Sequence, residues 1–86
     1  NMNTMHIIII GAGPGISAGV ARKFGSEGFR VSIIGRNESK LKQECAGLSS
    51  MGIEATYAVA DVSVQSALGH ALDQLQAADA DVIHFN

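Results

Sequence analysis

Ile7-Ile8-Ile9-Ile10-Gly11-Ala12-Gly13-Pro14-Gly15 decides the fold. Four β-branched residues in succession fit a strand buried on both faces, as in a parallel sheet. The glycines that follow permit a sharp turn and a close approach of the backbone to a ligand. A helical pattern starts at Gly15, so the free N–H groups and positive dipole end of that helix face the turn. Strand, glycine turn and helix N-terminus in this order make a site for phosphate or pyrophosphate. The competing reading is a purely structural turn; the strand before it and the helix after it favour nucleotide binding.

The rest of the chain extends this unit. The first strand spans 5–10 and the first helix 15–27, with Ile16, Val20 and Phe24 on one apolar face and Ala21 beside it. Gly28 suits the helix exit. A second strand is predicted over 29–34. Asn37 is the N-cap of a helix over 38–50, whose buried face is Leu41, Cys45 and Leu48. A third strand follows over 54–60. Ser63 is the expected cap of a third helix over 64–77, with Leu68, Ala71, Leu72 and Leu75 as its core stripe. Asp79 and Asp81 flank the turn into a last strand, 82–85. Alternating strands and helices joined by short loops build a doubly wound α/β fold with a parallel sheet. Right-handed crossovers give strand order 3-2-1-4, with a ligand crevice between the first and fourth strands.

Composition bounds the function. The 86 residues suffice for one small domain, and 47% hydrophobic with 16% charged residues is a globular composition. A net charge of -2 provides no basic surface for nucleic acid. No apolar run approaches the ~20 residues of a membrane span, and no secretory signal opens the chain. The single Cys45 permits no internal disulfide, which fits the cytoplasm. Asn1 precedes Met2; native chains begin with Met, so Asn1 is expected to be an added residue.

The glycine spacing carries a resemblance. Gly11, three residues, then Gly15-Ile16 resembles the T-G-x-x-x-G-I-G loop of the short-chain dehydrogenase/reductase family. Ile10 stands where the family usually has Thr, and Ser17 where it has the last Gly. The common dinucleotide spacing G-x-G-x-x-G fails, because its third Gly would fall at Ile16. Val31-Ser32-Ile33-Ile34-Gly35-Arg36-Asn37 looks like the second-strand ending of members that prefer NADP. No acidic side chain is there to hold a ribose 2′-hydroxyl; Gly35 leaves space, and Arg36 offers a planar, always charged fork suited to a 2′-phosphate. Ala60-Asp61-Val62 resembles the family's adenine-contacting D-V pair, although Asp61 is equally suited to starting a helix. Asp81-Val82-Ile83-His84-Phe85-Asn86 resembles the strand leading to N-N-A-G, with Asn86 at the second Asn.

The resemblance implies a Rossmann-type NADP-binding half-domain over 1–86. Gly11, Gly13, Gly15, Ile16, Ser17, Gly35, Arg36, Asp61, Val62 and Asn86 would form the cofactor site, with NAD the less favoured ligand. It implies hydride transfer between the nicotinamide and a carbonyl or alcohol substrate, in a homo-oligomeric enzyme. The family's catalytic Tyr-x-x-x-Lys is missing. Tyr57 is the only tyrosine, and Asp61 rather than Lys lies four residues on. The chain is therefore expected to be a fragment of a longer reductase, inactive alone and with an exposed apolar edge at its fourth strand. The alternatives are a stand-alone nucleotide-sensing module and a flavin-binding fragment. His6, His70 and His84 show no metal-ligand spacing with Cys45.

Overall fold

In a computed structural model, residues 4–11 and 16–85 of the chain are described, without the side chains of residues 16 and 17. Strands β1 (His6–Ile10), β2 (Arg30–Gly35), β3 (Ala55–Val59) and β4 (Val82–Phe85) alternate with helices α1 (Ile16–Ser26), α2 (Glu38–Ser50) and α3 (Gln65–Gln74). The sheet is parallel, in the order β3-β2-β1-β4, so the expected doubly wound fold is present. Ile7 pairs with Val31 and Val82, and Ile10 pairs with Ile34 and Phe85.

β1 is the centre because both its faces are covered. Ile7 and Ile9 pack with Ala21, Val31, Ile33, Leu41, Leu48 and Ile53 on the side of α1 and α2. Ile8 and Ile10 pack with Ile34, Ala58, Ala60, Ala71 and Leu75 on the side of α3. Ile7, Ile8, Ile9 and Ile10 are each at most 2% exposed, and burying one contributes about 1.5–3 kcal/mol. Ala21, expected beside the face of α1, is its fully buried member, with Val20 and Phe24 packed around it. A small residue is needed there because α1 lies close on the sheet. Gly25 is constrained from another side: a Cβ on it would lie 2.5 Å from Cδ1 of Ile53, in the loop before β3.

α3 departs from expectation at both ends. Val64 rather than Ser63 is its N-cap, without a side-chain cap bond. The helix stops at Gln74, and the chain passes through Gln76 at φ 59° into a 3₁₀ turn, Ala77–Asp79.

A polar chain crosses the N-terminal end of the sheet. His6, 1% exposed, donates its N–H to Asp81 Oδ2 at 2.8 Å, and Asp81 returns an N–H to the His6 carbonyl at 2.8 Å. Arg30 Nη2 lies 3.2 Å from His6 Nδ1, and His6 Nε2 lies 2.7 Å from Ser32 Oγ. A guanidinium only donates, so Nδ1 accepts, the ring is neutral and Nε2–H donates to Ser32. Ser32 then donates to Thr56 Oγ1 at 2.9 Å. His6 thus ties β1 to β2 and to the residue before β4, and Ser32 carries the chain on to β3. On the outer strand, β4, Ile83 is 45% and Phe85 68% exposed, the apolar edge that was expected.

Candidate nucleotide-binding site

At the C-terminal ends of β1, β2 and β3 lies a cleft of about 380 Å³, lined by Gly11, Gly35, Arg36, Ala60, Asp61, Val62 and Ser63. Backbone bonds hold its walls together: Gly11 N–H donates to the Ile34 carbonyl at 3.0 Å, and Ala60 N–H to the Gly35 carbonyl at 2.8 Å. They extend the parallel ladder one step past the strands, so three chain exits lie side by side. Gly11 has φ 79°, a left-handed conformation that glycine adopts without strain.

Each side chain is placed by a local cause. Gly35, the buried last residue of β2, leaves the floor bare. Arg36 follows it, exposed and with no ion pair among the described residues. The chain cannot drift there, because Asn37 at once caps α2: its Oδ1 accepts from Lys40 N–H at 3.2 Å and Ser39 Oγ at 2.8 Å. Asp61 accepts at one oxygen, Oδ1, from Ser63 Oγ at 2.7 Å and Ser63 N–H at 3.0 Å. These bonds, hydroxyl first, hold its carboxyl below the usual range; the Arg36 charge adds to the effect and partial desolvation opposes it. Val62 anchors the loop by packing on the α3-side core.

Five of the ten expected site positions therefore line one cleft: Gly11, Gly35, Arg36, Asp61 and Val62. Gly13, Gly15 and Asn86 lie outside the described residues, as do the side chains of Ile16 and Ser17. The expected crevice between β1 and β4 falls on those positions and likewise lies outside the described residues. Ser63 is the residue that sequence reading misplaced. Its hydroxyl faces back to Asp61 instead of forward to the helix, because the Asp61–Val64 turn, closed by Val64 N–H to the Asp61 carbonyl at 3.0 Å, comes first. Asp followed two residues later by Ser was the available signal, an Asx-turn pattern.

Other chemistry-bearing residues stay apart from the cleft. Tyr57 packs against the core and donates its hydroxyl to Glu38 Oε2 at 2.9 Å. That bond raises its pKa, the opposite of what a phenol acid near pH 7 needs. Cys45 packs on the α2 face of the core, and burial pushes its thiol up. Among the described residues no group of three His, Cys, Asp or Glu could hold a metal. No helix among them is long and apolar enough to cross a membrane.

Comparison with known proteins adds family context. Residues 5–84 match the sequence model of a family described as short chain dehydrogenase. The curated 3-dehydrosphinganine reductase TSC10A of Arabidopsis thaliana is 31% identical over 84 residues, which cover 96% of this chain and 26% of the relative. An actinorhodin polyketide ketoreductase variant solved with NADPH superposes with a TM-score of 0.92 at 26% identity, over 100% of this chain and 34% of that one. A metagenomic short-chain oxidoreductase in complex with NADP gives a TM-score of 0.83 at 32% identity, over 92% of this chain and 37% of that one. The chain thus spans about a quarter to two-fifths of the length of these proteins.

Proposed function

The chain belongs to the short-chain dehydrogenase family, and we propose that it is the dinucleotide-binding half of an NADP-dependent oxidoreductase. The observation that carries this is Arg36, exposed and without an ion pair among the described residues, directly after the side-chain-free Gly35 in a cleft shared with Gly11 and Asp61. A guanidinium there suits a 2′-phosphate, and no carboxylate stands at the end of β2 to prefer a bare ribose. Glycine at two of the lining positions, Gly11 and Gly35, supports the reading, because it lets a ligand approach the backbone closely. NADPH and NADP bound to two of the similar structures support the same reading.

Gly11 and the loop through Ser17 would receive the diphosphate, Arg36 the 2′-phosphate, and Asp61 with Val62 the adenine. When bound, the nicotinamide supplies or accepts a hydride. The acceptor class is a carbonyl or alcohol, in keeping with the reductase names of two relatives. No Tyr-x-x-x-Lys occurs within the 86 residues, so they bind the cofactor and do no chemistry. The intact enzyme is a cytoplasmic homo-oligomer in this reading. A flavin site is disfavoured, because it wants an acidic residue where Arg36 stands.

Calorimetric titration with NADPH and NADH tests the reading. Arg36→Ala is expected to weaken NADPH binding roughly tenfold or more, the scale of one charge-assisted bidentate contact, and to leave NADH binding nearly unchanged. Equal losses for the two ligands would remove Arg36 from this role.

A further inference from the structure

A second cleft lies at the opposite, N-terminal ends of the strands. It measures about 350 Å³, with Arg30, Ser32 and Thr56 on the sheet side and Gln74, Leu75 and Gln76 at the end of α3 on the other. The sheet fixes which way its side chains face. Ser32 and Thr56 are register partners with hydroxyls in contact, and Ile34 and Ala58, two residues on in each strand, pack in the α3-side core. Arg30, two residues before Ser32, shares that face by strand alternation. It is in no ion pair among the described residues. Its one described hydrogen bond goes to His6 Nδ1, so most of its N–H donors have no partner there.

The hydrogen-bond directions give this cleft a sign. His6 Nδ1 accepts from Arg30, so Nε2–H donates to Ser32 Oγ. Ser32 is 2% exposed, and the described acceptor for its own proton is Thr56 Oγ1 at 2.9 Å. The Thr56 proton is then left over, on an exposed residue of the edge strand β3, with no acceptor among the described residues. A guanidinium and a hydroxyl, both donors, therefore stand together on one wall. The carboxylates of Asp81, Glu54 and Asp79 act on the His6 ring from nearby, and that negative background repels a dianion more than a monoanion. A carboxylate matches the planar guanidinium fork, and one of its oxygens can also take the Thr56 proton. Leu75 offers an apolar wall to its carbon skeleton. We propose that this cleft binds a small monocarboxylate between Arg30 and Thr56, at the end of the sheet remote from the nucleotide cleft.

The test is an NMR chemical-shift titration of the chain with sodium acetate, with ionic strength held constant by chloride. Saturating shifts are expected at the backbone amides of Arg30, Thr56 and Gln76, with a dissociation constant on the order of millimolar. Thr56→Val keeps the branched shape and removes the proton, and should weaken acetate about threefold to tenfold. Thr56→Ser, which keeps the hydroxyl, should restore binding. Arg30→Gln should abolish saturation; the Thr56 pair decides the matter if that variant fails to fold. Shifts that grow without saturating, or undiminished binding in Thr56→Val, overturn the proposal. Inorganic phosphate is the second probe, and tighter binding of phosphate than of acetate overturns the monocarboxylate assignment. Arg36→Ala should bind acetate like the parent; a loss there would put the acetate in the nucleotide cleft and overturn the second site.

Discussion

Acid should loosen this fold through His6, and the sign follows from the hydrogen-bond directions. Nδ1 accepts from Arg30, so a proton on that nitrogen would set two donors against each other. Burial lowers the pKa of the ring most and the Arg30 charge lowers it further; the carboxylates of Asp81, Glu54 and Asp79 offset only part of this. In the unfolded chain the ring titrates near 6.5. The stabilising contribution is therefore complete above that pH and declines as pH falls, because the unfolded chain takes up a proton that the fold refuses.

One proton sets the slope at about 1.4 kcal/mol per pH unit, so a ring kept neutral in the fold costs up to about 1.4 kcal/mol by about pH 5.5. His6→Gln retains an N–H for Ser32 and cannot titrate. It loses the acceptor for Arg30, which should cost about 1 kcal/mol near neutrality. The assay is urea unfolding followed by far-UV circular dichroism, at about pH 7.5 and about pH 5.5. The parent protein should be more stable at the higher pH, and the gap to His6→Gln should close at the lower one. If both proteins lose stability equally between the two pH values, the assignment of a neutral, Arg30-facing ring is wrong.

Three further outcomes follow from packing and capping. Gly25→Ala sets a methyl against Ile53, and overpacking of ~1–3 kcal/mol should outweigh a helix-propensity gain of about 1 kcal/mol; shortening the neighbour in Gly25→Ala/Ile53→Val should recover most of the loss in the urea midpoint. Gly69→Ala, inside α3 with nothing within 4 Å of the new methyl, should stabilise by about 0.5–1 kcal/mol, read as a higher thermal midpoint. Asn37→Ala removes the acceptor for Lys40 N–H and should cost about 1 kcal/mol of stability in the same measurement.

Hydrophobic period and glycine placement made the architecture legible in the sequence. The isoleucine run marked the central strand because only a doubly covered strand is apolar on every residue. The spacing of Leu41 and Leu48, and of Ala71 and Leu75, marked the helix faces that cover it. The strand order followed from handedness alone. The cleft was legible through Gly35 and Arg36, where the absence of a side chain and the presence of a charge both signify. What stayed hidden depends on contacts between distant positions. Nothing in the periodicity joins His6 to Ser32 and Thr56, 26 residues from His6 and 24 from Ser32 respectively. Ser63 stands one residue before the N-cap, Val64, where its hydroxyl donates to Asp61 Oδ1 and caps nothing in α3.

Four identical residues at the heart of a sheet create an ambiguity of alignment. Sliding β1 by two positions would still put isoleucine at two of the four sites of the run, each on its own face of the sheet. A slide by one would exchange its two faces with little apolar penalty, although such a slip ordinarily exposes a strand's core set. Identity of position must come from the ends of the run, where His6 meets partners on both neighbouring strands and Gly11 docks on the carbonyl of Ile34. These two residues act as the index marks of the central strand, and through them Gly11 reaches the same cleft as Gly35 and Asp61.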